Sequence, residues 1–467
     1  MFPALKDLDA NQSPQHKVIR SVFEDANNYM KSGTQLLAVI EKLEEAINFH
    51  DFTTRASLGD VYEQMLNDLR SAGNAGEFYT PRAITQFMVD RINPRLDKRE
   101  TVLDPACGTG GFLTAAIDYF RHQITDKSGT QDQRAIETLI HGIEKKQLPH
   151  LLCTTNMLLH GIDVPSQIEH KNTLAIGWNE WNNNDKVACV ITNPPFGGYE
   201  DDGVGSDYPS DLKTRETADM FMALIIKKLL KQQGRAAVVL PDGFLFGDGI
   251  KAALKKLLLR DCKLHTIVRL PKGVFAPYTT IKTNLLFFTK GNIADDGSEP
   301  FQTDTIWYYE HPYPAGYKSY SKTKPIRFDE FAPEIAWWGS EDNDFADRVE
   351  HEFAWKVDFK TKREQAEAAA EPHWQRAEQL NNQAANLDNQ AKDLAKSLIG
   401  STDSHYREQI NAQIAALREQ AEPLRLQARD AQAAGDRLYW PIFNLDSKNP
   451  QRPGTRKPRP RFIAGKI

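Results

Sequence analysis

The sequence predicts a doubly wound α/β sheet, preceded by an N-terminal helical region and followed by a C-terminal antiparallel coiled-coil hairpin. Three observations predict it. From residue 77 to about 290, short apolar runs alternate with segments of helical period, the pattern of a mostly parallel sheet covered by helices. Residues 1–75 repeat their apolar side chains at helical spacing. Residues 363–434 turn to Ala, Gln, Glu and Arg, with apolar positions stepping by three and four.

Taken in order, the first region (1–75) carries Leu36, Leu37, Val39, Ile40, Leu43 and Ile47, then Leu58, Val61, Tyr62, Met65, Leu66 and Leu69. Ser71–Gly76 is a loop. The second region, 76–355, holds the sheet. Its strand and helix pairs are Thr101–Leu103 with Phe112–Phe120, and Leu139–Ile143 with Pro149–Leu159. Val187–Ile191 with Ala218–Leu230, and Ala236–Leu240 with Gly249–Leu259, follow. Leu264–Leu270 and Leu285–Thr289 suit a closing antiparallel element, and 291–355 is rich in loops and aromatics. The third region, 356–437, is the hairpin. Ala377, Leu380, Ala384, Leu387, Ala391, Leu394 and Leu398 form one seam; Gly400 breaks it. Ile410, Ile414, Leu417, Ala421, Leu424, Ala428 and Ala431 form the returning seam, with a kink expected at Pro423. A two-helix seam this narrow buries little by itself, which favours a docking arm over a self-contained hairpin. Residues 438–467 end in a basic tail, with Arg456, Lys457, Arg459 and Arg461.

Composition narrows the function. The chain has 467 residues, 40% hydrophobic and 26% charged, enough for two or three soluble domains. No apolar run reaches the ~18 residues of a membrane span, and Met1–Asp7 has no signal pattern, so a cytoplasmic protein is expected. Cys107, Cys153, Cys189 and Cys262 form no CxxC pair, which argues for reduced thiols and no metal site. The net charge of -5 suggests that, if nucleic acid is the substrate, another chain carries much of the phosphate contact.

The most informative segment is Asn193-Pro194-Pro195-Phe196, placed where a buried strand ends. The two prolines lack N–H groups and leave carbonyls free to accept. Asn193 Oδ1 and the Pro194 carbonyl can hold the two hydrogens of one NH2 group, and Phe196 offers a face for a planar base. Taken alone, Asn-Pro is also a common turn starter. Its companions argue otherwise. Asp104, Thr109, Gly110 and Gly111 read as strand, glycine turn and helix start, but not as GxGxxG. Asp104 suits a ligand ammonium, and Glu144 after the next strand suits a ribose diol. Asn172 in a following turn is a candidate for an adenine edge. Ribose, adenine and a cationic amino acid together describe S-adenosylmethionine.

Asp104–Phe112 together with Asn193–Phe196 resembles the N6-adenine DNA methyltransferases. With Gly76–Arg82, Leu270–Tyr278, Thr283–Phe288, Ser321–Thr323 and Asn444–Pro450, the chain resembles the modification subunit (HsdM) of type I restriction-modification systems. The resemblance implies an S-adenosylmethionine-dependent, Rossmann-like fold and methyl transfer to adenine N6. Glu77, Phe78, Tyr79, Thr80, Pro81 and Arg82 would then cap the cofactor's methionine end; Thr109, Gly110 and Gly111 would line it, and Glu144 would take the ribose. Asn172 stands where relatives often place an Asp, and Asn193–Phe196 would be catalytic. Implied partners are DNA and a separate specificity subunit (HsdS) on 363–434, with two modification copies per specificity subunit; a restriction subunit (HsdR) is a further candidate. Against the family, the chain starts part-way into the N-terminal helices and carries the hairpin between Trp355 and Asn444. Two other readings compete: a protein-glutamine N5-methyltransferase, whose amide would suit the same acceptors, and a non-catalytic scaffold.

Overall fold

A computed structural model describes residues 2–24, 30–46, short pieces between 58 and 66, 79–125, 129–276, 278–292, 300–400 and 402–451. The basic tail from Arg452 onward lies outside the described residues. The chain divides into two compact units, one of Met1–Val357 with Asp446–Ile467, the other Asp358–Leu445.

Among the described residues the first unit has nine strands, six of them on the apolar runs predicted from the sequence. They are β1 (Val102–Asp104), β2 (Ile140–Glu144), β3 (Ile168–His170), β4 (Val187–Thr192), β5 (Leu230–Pro241), β6 (Cys262–Arg269), β7 (Thr283–Lys290), β8 (Thr305–Glu310) and β9 (Ala354–Asp358). They form one sheet in the order β3-β2-β1-β4-β5-β7-β6-β8-β9. β3, β2, β1, β4 and β5 run parallel. β7 inserts antiparallel between β5 and β6, so the sheet is mixed at its far side. Central β4 has no polar face: all but one of its residues are buried, as expected for a strand covered on both sides.

β8 and β9 correct the reading of 291–355 as loop-rich. Ile306–Tyr309 are buried, Trp307–Glu310 pair β8 to β6, and Tyr308 stacks on Trp355 at 5.3 Å. Aromatic strands without clean alternation look like loop aromatics in sequence. The core gathers around Phe87, which stacks on Phe331 at 4.2 Å and meets Phe287 and Trp338 edge-on. Helix Gly111–His122 shows why local sequence suffices there. Phe112, Leu113, Ala116, Ile117 and Phe120 make its buried face, and Arg121 and His122 sit in the last turn against the helix dipole. The N-terminal region contains helices Pro14–Phe23 and Gly33–Ala46.

In the second unit, helices Phe359–Ser397 and Ser404–Tyr439 pack on each other. Asp358 caps the first, accepting from Thr361 N at 2.9 Å, and Asp403 caps the second, accepting from His405 N at 3.0 Å. Ala377, Leu380, Ala384 and Ala391 are buried in one arm, and Ile410, Ile414, Ala421, Ala428 and Ala431 in the other. Arg425 bridges the arms to Asp388. Both helices continue as single elements through a proline, Pro372 and Pro423. After the hairpin the chain rejoins the first unit: Asp446 binds Arg269 at 2.6 Å, and Asn449 Nδ2 donates to the Glu352 carbonyl at 2.7 Å. Among the described residues no helix is long and apolar enough to cross a membrane.

Candidate active site

Strand order reverses between β1 and β4, and a crevice forms there at the carboxyl ends of the strands. A cavity of about 290 Å³ occupies it, lined by Asp104, Gly108, Gly111, Glu144, Asn193 to Phe196, and by groups from the loops that follow. A second cavity of about 350 Å³ lies where the chain enters β1, lined by Asn93, Arg95 and Arg235. Its charges are largely paired, Arg91 to Asp90 and Arg235 to Glu100, and it contains none of the strand-end groups singled out above.

β4 delivers Thr192 and Asn193 to the first cavity. Thr192 Oγ1 donates to Asp104 Oδ1 at 2.7 Å, tying the ends of β4 and β1 together. Asn193 Nδ2 donates to Thr80 Oγ1 at 3.1 Å. That leaves Asn193 Oδ1 buried with no hydrogen-bond partner. A buried acceptor without a donor is costly, and such atoms in native proteins call for a ligand or a function. No donor among the described residues reaches the Pro194 carbonyl either. Behind the tetrapeptide, Gly197 turns at φ +68°, and the Gly198 carbonyl accepts from both N and Oγ1 of Thr217. The loop is therefore anchored at both ends.

Asp104 is 1% exposed, and burial is the main reason its carboxyl is pushed up to about 7; Glu144 nearby adds to the rise, while Thr192 and the Ala106 N–H oppose it. A cation brought to this carboxyl would favour its charged form. Glu144 Oε2 accepts from Gly108 N at 2.9 Å and Oε1 from Lys146 N at 2.7 Å, which fixes the carboxylate against the glycine turn. Burial raises its carboxyl too. Gly108 and Gly110 both adopt positive φ. A Cβ on Gly110 would lie 2.8 Å from Cys153 Sγ, so the turn packs tightly on the neighbouring helix.

Not every residue singled out in the sequence lines this cavity. Thr109 lines a smaller cleft with Tyr79, Thr80 and Arg82. Gly110 lines neither. Pro81 caps the helix Arg82–Ile92, Arg82 lies 3.8 Å from Asp118, and Glu77 and Phe78 fall outside the described residues. Asn172 is set back from the cavity. Its Oδ1 caps a turn at Leu174 N, 3.1 Å, and its Nδ2 donates to Glu200 Oε2 at 3.0 Å. Glu200, Lys145 and Tyr278 line the cavity without having been singled out. Tyr278 closes the segment Leu270–Tyr278 already noted as a motif; Glu200 sits four residues past Phe196, beyond a turn whose direction no pattern announces.

This is the fold of an S-adenosylmethionine-dependent methyltransferase, with acidic strand ends beside an amide-proline loop. The chain belongs to the N-6 DNA methylase family, which it matches over residues 53–382. It is 56% identical over 359 residues to the type I restriction enzyme EcoEI methylase subunit of Escherichia coli, covering 76% of this chain and 70% of that one. It is 30% identical to the EcoKI methylase subunit of Escherichia coli strain K12, covering 73% of this chain and 65% of that one. The chain thus spans about two thirds of the length of these relatives. A crystal structure of a type I modification subunit from Vibrio vulnificus YJ016 superposes with a TM-score of 0.66 at 41% identity, covering 77% of this chain and 72% of that one.

Proposed function

We propose that this chain is the catalytic modification subunit of a type I restriction-modification system. It transfers a methyl group from S-adenosylmethionine to N6 of an adenine extruded from DNA. The observation that carries the reading is the buried, unpartnered Asn193 Oδ1 beside an equally unengaged Pro194 carbonyl.

The residues fit the cofactor. Asp104 would hold its ammonium, Glu144 its ribose, and the glycine turn would let it approach the backbone. When bound, the cofactor supplies an electrophilic methyl group. The protein's work lies on the other side. Adenine N6 is a poor nucleophile because its lone pair is delocalised into the ring. Asn193 Oδ1 and the Pro194 carbonyl each accept one N6 hydrogen, which turns the lone pair out of conjugation. Phe196 stacks on the base. Thr80 keeps the amide from rotating, so the acceptor stays in place without reorganisation. The base must leave the duplex because N6 cannot be reached inside the stack.

The relatives are named as methylase subunits of type I restriction enzymes, which supports a separate specificity subunit for sequence choice, with residues 363–434 as the docking arm, two copies of this chain per specificity subunit, and a restriction subunit as a further partner. Transfer from methyl-labelled cofactor tests the function. In the presence of the specificity subunit, label should pass to DNA. Label on a glutamine-bearing protein instead would move the assignment to the amide methyltransferases.

A further inference from the structure

We infer that Glu200, not residue 172, reads the base of the cofactor, by accepting a hydrogen bond from its exocyclic amine. The inference rests on the cofactor reading given above. Its starting point is the order of groups across the sheet edge. β4 carries Asn193, β1 Asp104, β2 Glu144, and the loop after β3 Asn172, in the spatial order β3-β2-β1-β4. A ligand with its reactive end at β4 and β1 and its ribose at β2 must put its base at the β3 end. There Asn172 does not line the cavity, and its side chain is spent on two other contacts: Oδ1 on the Leu174 N–H and Nδ2 on Glu200.

Glu200 occupies the position instead. It lines the cavity and is 5% exposed. Its Oε2 takes two donors, Lys145 Nζ at 2.9 Å and Asn172 Nδ2 at 3.0 Å. Its backbone is clasped as well: Glu200 N donates to the Arg215 carbonyl at 3.0 Å, and Arg215 Nη2 donates to the Glu200 carbonyl at 2.8 Å. The carboxylate is thus fixed, its charge is balanced by Lys145, and no donor among the described residues reaches Oε1. A carboxylate can only accept. What the wall asks of a ligand at this point is an exocyclic N–H, which a 6-amino purine offers at its 6-position, where a 6-oxo purine carries an acceptor instead. Lys145 directly follows Glu144, so the residue that neutralises Glu200 is one peptide bond from the proposed ribose ligand. In this chain the asparagine at 172 works as a positioning residue for an acid borrowed from the catalytic loop. Base recognition and the Asn193–Phe196 loop are then mechanically joined through the turn at Gly197 and Gly198.

The test is calorimetric titration of the full chain with S-adenosylhomocysteine and with its 6-oxo analogue, S-inosylhomocysteine. The wild type should prefer the 6-amino ligand, as a site built to bond a donor does. Glu200→Gln should cut that preference by about ten- to a hundredfold, the worth of one hydrogen bond to a charged group. The amino ligand should weaken because the acceptor loses its charge, and the oxo ligand should gain because a glutamine can also donate to its 6-oxo group. Asn172→Ala, which loosens the carboxylate without removing it, should narrow the preference by a smaller factor, and it serves should the glutamine variant fail to fold. An unchanged preference in both variants, or an equal loss for both ligands, overturns the inference while leaving the cofactor reading standing. A wild type that binds neither ligand overturns the cofactor reading and this inference with it.

Discussion

At the tip of β4 one amide is held by a single hydrogen bond, and its oxygen is left without a partner. Replacing Thr80 by Val keeps the shape but removes the acceptor for Asn193 Nδ2. The turnover number should fall about tenfold, the value of one neutral hydrogen bond, and Thr80→Ser should restore it. A valine variant with full turnover would show that the amide needs no anchor. Asp104 gives a pH signature. Its carboxyl is pushed up to about 7 by burial, so below that pH the ammonium group of a ligand must first displace a proton. Affinity for S-adenosylhomocysteine should therefore rise with pH, by up to about tenfold per unit below 7, and level off above it. Asp104→Asn should remove most of that slope; a slope that survives the substitution would place the titrating group elsewhere. Asn193, Asp104 and Glu144 were legible in the sequence because each ends a strand or directly follows one, and strand ends of a parallel sheet share one edge. Asn172 also follows a strand, yet its side chain turns back to cap Leu174. Glu200 was hidden because it reaches the cavity across a glycine turn.

At the scale of elements, the hairpin was readable from its three-four step, since alanines recurring along one stripe leave only one way for two helices to approach. Its close contacts were not readable. Gly435 faces Trp374 across the seam: an added Cβ would lie 2.6 Å from the indole nitrogen, which donates to Asp436 at 3.1 Å. Helix propensity alone would make Gly435→Ala stabilising by about 1 kcal/mol. Overpacking against a rigid, hydrogen-bonded ring costs about 1–3 kcal/mol. The variant should therefore unfold at lower denaturant concentration than the wild type, and a raised midpoint would contradict the packing described. The sheet tells the opposite story. β4 announced itself by apolar content, whereas β5 opens with Leu230-Lys231-Gln232-Gln233 and so begins earlier than its apolar run at Ala236 suggests. Its early pairing is set by the neighbour β4, through Val187 and Leu230, rather than by its own composition.

For the whole molecule, the chain divides into two compact units, and the proposed roles divide with it, chemistry in the first and docking in the second. Removal of residues 363–434 should abolish co-purification with the specificity subunit while leaving the S-adenosylhomocysteine titration unchanged. Retained co-purification would sink the docking role. The acceptor pair at Asn193 and Pro194 is tested most directly by sequencing of genomic DNA for N6-methyladenine. Cells would express the chain with its specificity subunit, either as wild type or as Asn193→Ala. Modified adenines at one recurrent site should be present with the wild type and missing with the variant, whose purified form still binds S-adenosylhomocysteine. Equal modification by both proteins would contradict the account.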